Sequence, residues 1–164
     1  MRRIIISLLL MLPMLVSAQR FAVVDRQAVL ESMEEYVIAE RTIFELSEKY
    51  HAEYDRMTAD IDKKFEDYQT LNIRSNTPQT IRERRIQEIQ EMQKRAQQFL
   101  ASAEDDLKSR REDMLRPINE KIDTAIKDAG IENGFSFIFP VGATLFYGID
   151  VDDITDAIKE KVAL

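Results

Sequence analysis

The amino-acid sequence predicts an α+β protein that is mostly α, with a long antiparallel coiled-coil hairpin projecting from a small β-strand body that oligomerises. Three observations lead to this fold class. Residues 19–129 contain no glycine, the residue most used to end helices and form tight turns. Apolar residues recur every three or four positions on both sides of a polar segment at 72–78. Phenylalanine then occupies every second position over 135–139, in the glycine-containing end of the chain.

The composition limits the possible functions. The chain has 164 residues, a formal net charge of −7, no cysteine and one histidine. The acidic balance argues against a nucleic-acid partner, because binding a phosphate backbone requires a basic face. The lack of cysteine removes disulfides and thiolate sites, and a single histidine is too few for most metal sites and catalytic triads. We therefore predict a protein that is not an enzyme and uses no cofactor or metal.

The first 18 residues are typical of a secretory signal peptide. Arg2 and Arg3 precede an apolar run at 4–16, and Val16-Ser17-Ala18 provides the small residues that a signal peptidase reads. The run is shorter than the span of about 20 residues that a membrane helix needs. We expect export and cleavage before Gln19, which changes the formal net charge from −7 to −9 as two arginines are lost.

The remaining chain divides into three parts. Residues 19–25 form the first body strand, in which a short apolar run ends at Asp25, a plausible helix N-cap. Residues 26–129 form the helical hairpin, whose tip lies near 72–78. Pro117 should kink or break its second helix, because proline removes a backbone donor and clashes with the preceding turn. Gly130 is the expected stop of that helix.

Residues 130–164 are expected to supply body strands and a terminal helix. The segments 135–139 and 144–147 are predicted strands, and Asp152 or Asp153 caps the terminal helix. Three short strands expose unpaired edges and a thin core, which oligomerisation would cover. The residues assigned to this oligomer body are Val24, Phe135, Phe137, Phe139, Leu145 and Tyr147.

The order of these elements resembles the Skp (OmpH-like) family of periplasmic chaperones for outer-membrane proteins. The matching segments are the signal peptide, Phe21-Ala22-Val23-Val24-Asp25 before Val29-Leu30, Leu115-Arg116-Pro117-Ile118, Glu132-Asn133-Gly134-Phe135 and Asp150-Val151-Asp152-Asp153-Ile154-Thr155-Asp156. Together they cover essentially the whole chain after residue 18. The sequence departs from the family at Glu34, where relatives often have proline, and in its acidic charge, since well-known members are basic.

The resemblance implies a periplasmic homotrimer of jellyfish-like architecture. It also implies an ATP-independent holdase that binds unfolded outer-membrane proteins in a cavity between helical tentacles and prevents their aggregation. The alternative is a structural coiled-coil spacer or adaptor of a cell-envelope complex, which would use the same helices to reach a fixed partner.

The apolar stripe of the hairpin has two interpretations. The pattern starts at Leu30 and continues through Val37 and Phe44 toward the tip, and the two interpretations concern its part from Tyr54 to Leu71. Its residues either form the hairpin's own seam or face the cavity and contact clients, and both can hold for different residues. The residues selected as client-binding candidates are Met57, Ile61, Phe65, Tyr68, Ile89 and Met92.

The predicted tip carries a basic cluster on an otherwise acidic chain. Its members are Arg74, Arg82, Arg84 and Arg85. The cluster either makes a weak contact with anionic lipid headgroups or acidic clients, or is ordinary solvated helix charge.

Overall fold

The computed structural model describes residues 20–73, without the side chain of Asn72, and residues 77–163. The predicted signal peptide and Arg74 lie outside the described residues. Long helices dominate, and a small sheet occupies one end. In chain order the elements are β1 (Arg20–Val24), α1 (Arg26–Ser32), α2 (Glu34–Ile73), α3 (Gln79–Asn133), β2 (Phe135–Pro140), a 3₁₀ turn (Val141–Ala143), β3 (Asp152–Asp153) and α4 (Thr155–Val162).

The first arm of the hairpin is divided, whereas the sequence predicted one helix from residue 26 to residue 71. Met33 has extended backbone angles (φ −83°, ψ 129°) and separates α1 from α2. The Met33 side chain is buried in the body core, so the first arm is interrupted at a residue that packs into the core. Glu34 and Glu35 then occupy the first turn of α2, where negative charge suits the helix dipole. The predicted N-cap at Asp25 is confirmed, because its carboxylate accepts a hydrogen bond from the Ala28 amide at 2.9 Å.

The second arm is one helix that ends later than predicted. The expected stop at Gly130 is wrong, because α3 continues to Asn133 and Gly134 adopts the left-handed conformation (φ 66°) that ends it. Gly130 instead allows close packing: a Cβ there would lie 3.3 Å from Cδ1 of Ile138 on β2. Pro117 lies inside α3 without ending it.

The sheet has the order β2-β1-β3, and both pairs are parallel. Phe21 pairs with Phe137, and Ala22 pairs with Asp152. The predicted strand at 144–147 is wrong, because that segment is irregular and the third strand is β3. β2 and β3 therefore occupy the two sides of the central strand β1.

The core of the body joins the two ends of the chain. β1 and α1 pack against the last turns of α3 and against α4, and the largest fully buried side chains include Ile122, Ile158 and Val29. Thr155 donates its hydroxyl to Asp153 at 2.6 Å and accepts the amide of Asp25 at 2.9 Å. Asp153 also accepts the Thr155 amide at 2.9 Å. The N-cap of α4 is nevertheless Ile154, so the prediction that Asp152 or Asp153 occupies that position is wrong.

Candidate functional site

Most of the predicted client-binding residues lie in the seam between α2 and α3. Ile61 and Ile89 are 8% and 6% exposed, and both belong to one buried cluster. Met57, Tyr68 and Met92 are partly buried against that cluster. Phe65 is different, because it is 48% exposed. The structure therefore brings five of the six residues together as helix-to-helix packing and leaves one on the surface.

A polar contact fixes the middle of the hairpin. Tyr50 of α2 donates its hydroxyl to Asp106 of α3 at 2.7 Å, and Arg110 donates to the same carboxylate oxygen at 2.6 Å. The Tyr50 ring meets Phe99 edge to face, with centroids 5.9 Å apart. The hydrogen bond from Tyr50, followed by that from Arg110, lowers the pKa of Asp106. The same hydrogen bond to Asp106 raises the pKa of Tyr50. It therefore favours the protonated hydroxyl of Tyr50 together with the ionised carboxylate of Asp106.

Ion pairs cross the seam at several levels. Arg111 lies 2.7 Å from Glu40, Lys64 lies 3.4 Å from Glu88, and Lys121 lies 3.4 Å from Glu35. These side chains are partly to half exposed, so each pair contributes little to stability. Their distribution along the arm supports the register of α2 against α3.

The tip combines positive charge with exposed apolar surface. Arg84 and Arg85 are exposed and Arg82 is half-buried, and Arg85 forms an ion pair with Glu88 at 2.9 Å. Ile81, on the same helix as these arginines, and Ile73, at the end of α2, are both exposed. The surface can therefore offer charge and apolar contact to the same ligand.

The sheet presents an aromatic face. Phe137 stacks with Phe21 at 6.1 Å and with Phe139 at 5.9 Å between ring centroids, and Phe137 is 57% exposed. The Arg20 guanidinium lies 4.7 Å from the centroid of Phe135, which is half-buried. The three stacked rings form an apolar area that is exposed to solvent in a single protomer.

The other residues predicted for the oligomer body lie apart from this aromatic face or beneath it. Leu145 is fully exposed and Tyr147 is partly exposed, and both lie in the irregular segment after the 3₁₀ turn. Val24 is buried in the protomer's own core, so its side chain is not available to a second copy.

One exposed apolar part of α2 was not identified from the sequence. Val37 and Phe44 belong to the apolar pattern that predicted the first helix, and they are 47% and 65% exposed. The buried residues at this level are Ala39 and Ile43 instead. The spacing in the sequence could have predicted this exposure. Val37, Phe44 and Phe65 share one position of a seven-residue repeat, and the seam residues do not occupy that position.

Two further features concern residues 20–73 and 77–163. None of the helices there is both long enough and apolar enough to cross a membrane. Within the same residues, no group of three or more histidine, aspartate or glutamate side chains is arranged to hold a metal ion.

Comparison with known proteins agrees with this architecture. The family model described as outer membrane protein (OmpH-like) matches residues 20–162, which confirms the resemblance found in the sequence. A crystal structure of a candidate outer membrane chaperone (OmpH-like) from Caulobacter crescentus superposes with a TM-score of 0.73 at 12% identity, covering 88% of this chain and 83% of that chain. At that identity the similarity shows the fold alone. A search of curated proteins found no significant match.

Proposed function

Because the chain belongs to the OmpH-like outer membrane protein family, we propose that it is an ATP-independent periplasmic holdase chaperone that binds unfolded outer-membrane proteins and prevents their aggregation. The observation that carries this proposal is the long α2–α3 hairpin, which extends from the body and exposes large apolar side chains such as Phe44 and Phe65. A protein that only spans a distance gains nothing from such residues, since exposed apolar groups favour association.

Apolar burial supplies the affinity in this mechanism. Unfolded barrel proteins expose alternating apolar residues, and each Å² removed from water contributes about 25 cal/mol. Binding of this kind is non-directional and tolerates many client sequences. It needs no nucleotide, because release follows when the client buries the same residues in its own fold.

We also propose that three copies assemble through the body. The outer edge of β2 and the stacked rings of Phe21, Phe137 and Phe139 would be covered by neighbouring subunits. The irregular segment with Leu145 and Tyr147 adds further exposed apolar area. Closing a ring of three removes exposed strand edges, which otherwise promote uncontrolled aggregation.

The tip arginines have a secondary role in this proposal. Arg82, Arg84 and Arg85 attract anionic headgroups or acidic segments over a distance of about 10 Å at 0.1 M salt. They favour encounter more than final affinity, because exposed charges are well screened. Vesicles with and without anionic lipid, compared by flotation, test the lipid contact.

The holdase proposal is tested by diluting a urea-unfolded outer-membrane barrel protein into buffer with and without the mature chain. We expect the wild-type protein to suppress light scattering at a fixed molar ratio to the client, without ATP. A spacer or adaptor of an envelope complex would leave the scattering unchanged. Serum albumin at the same concentration controls for crowding.

A further inference from the structure

We infer that a column of side chains along α2, rather than the seam, contacts unfolded clients, and that it favours segments rich in lysine and arginine. This α2 column consists of Val37, Phe44, His51, Thr58 and Phe65. The inference rests on the proposed holdase function and names the client class and the surface that binds it.

The column follows from the geometry of the hairpin. Its members are spaced by seven residues, and in helices wound as a coiled coil this spacing keeps them on one side of the helix. Val37, Phe44 and His51 are exposed, Phe65 is exposed closer to the tip, and Thr58 is half-buried. The column therefore extends from near the body toward the tip without entering the seam.

The seam is already occupied by the chain's own residues. Ile61 packs in one buried cluster with Ile89 and Ala96, so a client could reach them only by separating the two helices. Phe44 and Phe65 need no such opening, because about half or more of each side chain is already in water. A client that covers them gains apolar burial without loss of packing inside the hairpin.

The charge beside the column selects the client. Arg41 follows the first column residue, Val37, by four positions, so the row beside the column becomes acidic only beyond it. Glu48, Asp55 and Asp62 follow the next three column residues by four positions and therefore lie next to them on the helix surface. All three are exposed, and none forms an ion pair within the described part of the chain. Across its length α2 has eleven acidic and five basic residues, whereas α3 has twelve and eleven. The acidic charge of the hairpin is thus concentrated on the helix that exposes the aromatic residues.

A segment that complements this surface carries apolar side chains for the column and positive charges for the acidic row. Acidic segments would place like charges against Glu48, Asp55 and Asp62, which disfavours binding. A second copy of the chain would have the same acidic row and is disfavoured for the same reason.

The test uses two labelled unstructured peptides of equal length and apolar content, one lysine-rich and one glutamate-rich, with binding followed by fluorescence anisotropy. The column variant is Phe44→Ser with Phe65→Ser. Its matched control, Ile86→Ser with Ile131→Ser, removes exposed apolar side chains from α3. The charge variant is Glu48→Gln, Asp55→Asn and Asp62→Asn. Its control, Glu104→Gln, Asp105→Asn and Glu112→Gln, changes the net charge equally on α3.

We expect wild type to bind the lysine-rich peptide about tenfold more tightly than the glutamate-rich one at low salt. The column variant should weaken both peptides about tenfold, while its control changes neither. The charge variant should weaken only the lysine-rich peptide. That preference should disappear near 1 M salt, where the screening length is about 3 Å.

Several results would overturn the inference. These are equal losses in the column variant and its α3 control, a wild-type preference for the glutamate-rich peptide, or a change in the solution mass of the column variant, which would assign the column to self-association. Circular dichroism and a Phe65→Ser single variant show whether a loss reflects unfolding. If wild type holds an unfolded barrel protein and the column variant holds it equally well, the column is wrong and the holdase stands. If wild type holds none, the proposed function itself fails.

Discussion

Met33 and Pro117 line the same groove of about 300 Å³ between the two arms of the hairpin, close to the body. At Met33 the backbone is extended and helix α1 gives way to α2. At Pro117 the missing N–H leaves the carbonyl of Asp113 without its helical donor. Both arms therefore lose regular helical hydrogen bonding at the same distance from the body. We therefore expect the hairpin to bend against the body at this groove.

Pro117→Ala is expected to stiffen this joint. Alanine restores the helical hydrogen bond, and we expect α3 to gain about 1–3 kcal/mol of stability. Spin labels on cysteines introduced at Glu83 and Ser136 report the distance from tip to body, and the chain has no other cysteine. The distance distribution should become narrower in the variant and stay unchanged in Lys108→Ala. Equal widths in wild type and Pro117→Ala would show that the joint lies elsewhere.

Because Ile61 is buried and Phe65 is exposed, their substitution by alanine should lower the stability of the protein by different amounts. Ile61→Ala leaves a cavity in the buried cluster with Ile89, so we expect a loss of about 2–4 kcal/mol. Phe65→Ala removes an exposed ring and should change the free energy of unfolding by only about 0.5 kcal/mol. Urea denaturation of each variant, followed by circular dichroism, gives both values. Similar losses at the two positions would contradict the placement of Phe65 on the surface.

The contact between Tyr50 and Asp106 should make hairpin stability depend on pH. The pKa of Asp106 is lowered in the folded protein, so its contribution is present in full above the ordinary aspartate pKa and is lost as pH falls through the lowered value. Tyr50→Phe removes the hydrogen bond but keeps the ring against Phe99. We expect this variant to be less stable than wild type at neutral pH and to approach it at acid pH.

Urea midpoints measured across the acid range test this expectation. Tyr54→Phe is the matched control, because no hydrogen bond to its hydroxyl is present within residues 20–73 and 77–163. A stability difference between wild type and Tyr50→Phe that is constant with pH would mean that Asp106 does not titrate with the hydrogen bond.

Phe137→Asp combined with Leu145→Asp is expected to dissociate the oligomer. Both side chains are exposed in one protomer, so the substitutions leave its core intact and place charge on the proposed contact surface. Light scattering should report a trimer for wild type and a monomer for the variant, with most of the helical signal retained. Phe65→Asp, on the hairpin, should remain trimeric. A monomeric wild type would refute assembly through the body.

Much of this fold was accessible from local sequence signals. The glycine-free stretch and the apolar repeat predicted two long helices, and Asp25 was recognisable as a cap because capping depends on neighbouring residues alone. The helix boundaries near the body were less accessible. Whether a glycine ends a helix or lets a strand approach it depends on what packs there, which is why Gly134 rather than Gly130 ends α3.

The sequence by itself determined the helical hairpin, the acidic charge and the family, since periodicity, composition and motif order are properties of the chain. Only the tertiary structure decided which apolar residues are available to a partner. Ile61 and Phe65 are four residues apart and equally apolar in the sequence, yet one lies in the seam and the other in water. The packing of α2 against α3 makes that choice, because it fixes which positions of the seven-residue repeat face inward. In the same way, only the tertiary structure showed that residues 152–153, and not 144–147, form the third strand beside β1, because strand pairing between distant segments is not encoded in a local pattern.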